Sequence, residues 1–196
     1  MKRAALEVAV LSILAAIPTA AGYVLGPATR ALSQASSLLN LPLAPRLGFL
    51  PLVTSVVLAR LYLGRGAALK EGFLLSLAGA VFHPRDLQLR FPRNVMLGLG
   101  VELALLKASS PGLAECLLAS LAGGLLSYLP YLFFAPLGAP GAALYAAIVL
   151  ATANHLLTCA AGGYLAALVA RKLPQLPGFA RGAPPGRASG EALRPE

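Results

Sequence analysis

Tryptophan is missing from this 196-residue chain, aspartate occurs once, at Asp86, and charged residues of all kinds make up only 12%. Soluble domains carry about a quarter charged residues. With 58% hydrophobic residues and a mean hydropathy of +0.76, so low a charge content excludes an ordinary soluble domain and makes the chain an integral membrane protein. The scarcity of carboxylates leaves no aspartate pair, and no H-E-x-x-H, G-x-S-x-G or Walker sequence is present, so the chain reads as a non-enzyme. Cys116 and Cys159 lie inside apolar runs without CxxC spacing, which argues against a metal site and against a disulfide framework; no metal or cofactor is expected. The net charge of +9 does not signal nucleic acid, because its Lys and Arg residues gather at the ends of apolar runs rather than in a basic stripe interleaved with aromatics.

Those apolar runs number six: 5–25, 47–63, 71–82, 94–106, 113–135 and 142–170. A spanning helix needs about 20 apolar residues, fewer if it is enclosed by its neighbours. The expected fold is therefore all-α, a polytopic bundle of six transmembrane helices over residues 1–172, with the short third and fourth spans half-buried, broken or packed inside. Glu7 interrupts the first run and the apolar stretch continues past Ala21, so we read it as a retained span rather than a cleaved signal.

Basic residues orient the bundle. Placing both termini in the cytoplasm of a cell-membrane protein puts Lys2, Arg3, Arg60, Arg65, Lys70, Lys107, Arg171 and Lys172 inside, against Arg30, Arg46, Arg85, Arg90 and Arg93 outside. The uncharged turn 136–141 then faces out. Residues 26–46, punctuated by Pro27, Pro42 and Pro45, read as a long outer loop with the character of a lid, or as a surface loop with a short interfacial helix over 27–39. Residues 173–196, rich in proline and glycine, read as a disordered cytoplasmic tail.

Inside the spans one charge stands out. Glu102 lies in an apolar run, and an ionisable group at membrane depth is costly unless it lines a cavity or finds a partner. Either it contacts a ligand, or it forms a structural ion pair with a basic neighbour such as Lys107 or Arg93. Ser120, Gly124, Ser127 and Tyr131 share one face of the fifth span, with Tyr128 beside it; Asn154 and Thr158 share a face of the sixth, next to His155. Glu102, Tyr128, Tyr131, Asn154 and His155 are the candidate binding residues, suited to a small polar or heteroaromatic ligand. The plainer alternatives are serine and threonine bonding their own helix, tyrosines anchoring at the interface, and His155 joining two helices. Small-residue pairs that let helices approach closely recur at Ala5, Ala9, Ala16 and Ala20 and again at Gly162, Ala166 and Ala170.

The stretch 95–106, VMLGLGVELALL, the segment 119–128, ASLAGGLLSY, and the final run ending GYLAALVARK resemble the second half of the substrate-binding S components of energy-coupling factor vitamin transporters, most nearly the thiamin and hydroxymethylpyrimidine branch. The resemblance covers residues 93–172 best. It implies a six-helix bundle that captures a vitamin or precursor at its outer side beneath the 26–46 loop, without hydrolysing anything. It also implies partners in the lipid bilayer: a transmembrane T subunit, docked on Ala5, Ala9, Ala16 and Ala20 of the first helix, and two cytoplasmic ATPases. The competing expectation is a structural or assembly-factor membrane protein whose polar residues only join helices.

Overall fold

The computed structural model describes residues 2–38, 47–82, 87–108, 111–134 and 142–172. Six α-helices fill them: α1 Lys2–Leu38, α2 Leu50–Leu63 (preceded by a 3-10 turn, Leu47–Phe49), α3 Ala67–Phe82, α4 Leu87–Ala104, α5 Leu113–Phe134 and α6 Ala142–Lys172. There is no strand among the described residues. The all-α expectation holds, and each apolar run corresponds to one helix. The expected tail over 173–196 and the turn 136–141 lie outside the described residues.

The first correction concerns 26–46. Its first thirteen residues continue α1 without a break to Leu38, through Pro18 and Pro27; residues 39–46 lie outside the described residues. Proline costs a helix one N–H bond and crowds the preceding turn. The residues after Pro27 are mostly strong helix formers, Ala28, Arg30, Ala31, Leu32, Gln34 and Ala35, and their propensity outweighs that penalty. Thr19 and Thr29, just after the prolines, donate to the carbonyls of Ala15 (2.9 Å) and Leu25 (2.8 Å). At 1.5 Å per residue such a helix extends about 55 Å, well beyond the roughly 30 Å of a hydrocarbon core.

α2 is the centre of the bundle. Val53, Val56, Val57 and Ala59 are wholly enclosed, and the other five helices all pack on this one. Its shortness fits that place, since a helix surrounded by protein need not match the bilayer. Gly64 (φ 90°) and Gly66 (φ 84°) then reverse the chain into α3 with left-handed backbone that glycine adopts without strain.

Small residues let the outer helices close around it. A Cβ on Gly100 of α4 would lie 2.6 Å from the Cα of Gly123 on α5, and one on Gly162 of α6 would lie 2.8 Å from Cβ of Val53 on α2. Such backbone approach is what holds helices together where lipid gives no hydrophobic drive. Val8, Ile13, Ile17, Val24, Val81, Leu118 and Leu157 all point outward. Apolar exposure on this scale suits lipid rather than water. The helical portions Ala4–Thr29, Leu113–Pro130 and Ile148–Lys172 are long and apolar enough to cross a membrane. The protein is membrane-embedded.

Candidate functional site

The candidate residues divide between the two ends of the bundle. α4 runs from one end to the other, and Asn94 and Glu102 are eight positions apart on it, about 12 Å along the axis.

At the end where α2 begins, three rings stand in a row. Phe49, buried at the start of α2, lies 4.7 Å from the His155 ring of α6, and His155 lies 5.5 Å from Tyr128 of α5. The Arg93 guanidinium of α4 lies over the Phe49 ring, 5.1 Å from its centroid, an arrangement in which cation and ring quadrupole attract. Arg93 also donates through Nε (3.1 Å) and Nη2 (3.0 Å) to Oδ1 of the buried Asn94.

His155 is only 1% exposed, and its Nε2 is fixed by two oxygens, the Gly124 carbonyl (3.1 Å) and the Ser127 hydroxyl (3.1 Å). A carbonyl only accepts, so Nε2 carries the hydrogen. Ser127 in turn donates to the same Gly124 carbonyl (2.8 Å). The shared face expected on α5 and the neighbouring position on α6 therefore meet. Asn154 is half-buried on α6 beside His155, and its carbonyl accepts from Thr158 (2.9 Å). The side chain of Tyr131 lies outside the described residues. Phe49, Arg93 and Asn94 join this end without any signal in their spacing along the chain; the position of Arg93 at the edge of an apolar run marks it only as a topology signal.

Glu102 belongs to the opposite end. Its Oε2 lies 3.0 Å from Nε of Arg60, near the last turn of α2, and its Oε1 accepts the N–H of Ala68 at 2.9 Å. Arg60 Nη2 donates to the Leu105 carbonyl just past α4 at 2.8 Å, and Arg65 Nη2 to Leu106 at 3.1 Å. The Nε–Oε2 contact is a close ion pair whose N–H is not aimed along it. A carboxylate at the N-terminus of α3 and guanidinium groups at the C-terminus of α4 satisfy orphan backbone groups and oppose the helix dipoles. The structural partner is thus Arg60, not Lys107 or Arg93. The reason is topological: α2 and α4 end side by side, which separation in sequence conceals.

Two more expectations concern small residues. Ala5, Ala9, Ala16 and Ala20 all lie on the exposed face of α1, opposite Leu11, Ala15 and Pro18. Gly162, Ala166 and Ala170 are instead buried in the bundle. The plain reading of the hydroxyls holds widely: Ser55, Ser76, Ser120, Thr152 and Thr158 each donate to their own helix. Cys116 and Cys159 are both buried and no disulfide joins them, and no cluster of metal-ligating side chains occurs among the described residues. No family model, curated protein or solved structure matches the chain.

Proposed function

We propose that the protein is a substrate-capture subunit of the S-component type, taking up a small vitamin or vitamin precursor at the end of the bundle where Phe49, Tyr128 and His155 align. The row of rings beside Arg93 carries this reading: it places stacking surfaces, a fixed imidazole and a cation together where α2, α4, α5 and α6 meet. Glu102 engages protein groups rather than this end, so the ligand chemistry favoured here is a flat heteroaromatic that is neutral or anionic. With both termini cytoplasmic, the site faces outward. The exposed alanine face of α1 supports docking on a transmembrane T subunit coupled to two cytoplasmic ATPases.

Small molecules retained by the detergent-solubilised protein test this directly by mass spectrometry. A flat heteroaromatic compound should be present in wild type and lost in Tyr128→Ala. A protein that retains no compound, and whose melting temperature no vitamin or precursor raises, would overturn the reading. Docking is checked separately: Ala16→Trp should stop uptake while leaving ligand retention intact.

The Arg60–Glu102 junction favours a second reading, a membrane protein whose polar residues serve only to join helices. It predicts that Tyr128→Ala and His155→Phe alter stability alone.

A further inference from the structure

Glu71 takes part in neither end cluster. It lies in α3 with 0% exposure, and neither carboxyl oxygen has a hydrogen-bond partner. The polar side chain that faces it is Ser55 of α2. The single hydrogen of the Ser55 hydroxyl goes to the Leu52 carbonyl at 2.9 Å in this packing. A carboxylic acid can donate to the hydroxyl oxygen as it stands, whereas a carboxylate receives a hydrogen bond only if the hydroxyl turns away from Leu52.

Among the described side chains, the charged groups on the helices around α3 are engaged elsewhere, with Arg90 of α4 lying against Gly79, two turns from Glu71. On α1, Glu7 binds Lys70 of α3 at 2.6 Å; on α2, Arg60 is held by Glu102 of α4; and at the far end of α4, Arg93 rests on Phe49 and Asn94. An ionised Glu71 would be a buried charge with no counter-ion among the described side chains and at most one hydroxyl to turn towards it, an arrangement proteins avoid by neutralising the group. The neutral acid fits the same space without that cost.

We propose that Glu71 is an intramembrane proton-binding site: its carboxyl holds a proton at neutral pH in this packing and gives it up to water only when the interface of α2 and α3 opens. The ligand is the proton itself. This assignment is independent of the capture function, because it draws on no residue of the ring row.

Infrared spectroscopy of the full-length protein in detergent reads the protonation state. At neutral pH wild type should show a carboxylic-acid C=O stretch that Glu71→Gln lacks, shifting down slowly on transfer to D2O as the enclosed proton exchanges. A wild-type spectrum without that band, or with a band that Glu71→Gln retains, would overturn the proposal. Stability supplies a second readout. At neutral pH Glu71→Gln and Glu71→Met, which keep the site uncharged, should both fold and melt close to wild type. Failure of both neutral variants to fold would show that the site requires a charge, and would overturn the proposal equally.

Discussion

Glu102 reaches the N–H of Ala68, three residues before Glu71 on α3, yet the two carboxylates meet opposite surroundings. Glu102 receives an arginine and a backbone N–H, and the same arginine continues to the Leu105 carbonyl, so one charge pair ties the ends of α2, α3 and α4. Glu71, less than one turn away, has no ion pair among the described residues, and neither of its oxygens has a hydrogen-bond partner. A charge at a helix terminus can be met by the orphan groups of neighbouring termini; one turn further in, Glu71 faces satisfied backbone, apolar side chains and the Ser55 hydroxyl. Depth along the helix, rather than residue type, decides which carboxylate finds partners.

Breaking the paired side gives the largest expected effect. Arg60→Ala strands Glu102 as a buried charge, which costs about 3–5 kcal/mol and should show as lost expression or a collapsed melting transition. Replacing both partners, as Arg60→Met with Glu102→Leu, removes the stranded charge and should recover most of that loss; a double variant no better than the single would mean that the backbone caps outweigh the pair.

Glu102→Gln comes next. It keeps the shape but surrenders charge-assisted bonds, for an expected loss of about 1.5–3 kcal/mol. Ligand retention by the surviving folded molecules should not change, and a selective loss of retention would return Glu102 to the binding site. On the unpaired side, Glu71→Gln at neutral pH should shift stability by no more than roughly 0.5 kcal/mol, the size of an ordinary surface change, because amide and neutral acid are nearly alike. A destabilisation as large as that of Glu102→Gln would erase the distinction between the two sites. Smallest of all, Ser55→Ala removes a hydroxyl whose hydrogen serves its own helix; calorimetry should find less than about 1 kcal/mol.

Much of this arrangement is legible along the chain, and the places where it is not are instructive. Glu102 stands out because it interrupts an apolar run, but its partner lies in another span, where Arg60 resembles any charge at a span end. Glu71 is concealed by the same reasoning. Next to Lys70 it passes for the edge of a run, whereas α3 starts at Ala67 and carries it a full turn inside. Helical spacing puts Ser127 on the shared face of α5 with Tyr128 beside it, and His155 next to the face of Asn154 and Thr158 on α6. It has no means of adding Phe49 or Arg93, which join them only because α2 begins and α4 passes at the same level. The extension of α1 is hidden because its prolines and polar residues suggest a loop while helix propensity prevails.

The sequence by itself determined that this is a membrane-embedded bundle of six helices, because hydropathy and the length of an apolar run follow from local composition alone. It also determined which faces of α5 and α6 carry polar groups, since side-chain direction on a helix follows from spacing. Only the tertiary structure decided which charge meets which. Pairing depends on the level at which helices end and on where glycines let their backbones close, and those heights are set by packing between segments far apart in the chain. For the same reason the alanines of α1 came to lie outward while Gly162, Ala166 and Ala170 of α6 came to lie inward: small residues permit a close approach, and the fold chooses whether the approaching surface is its own.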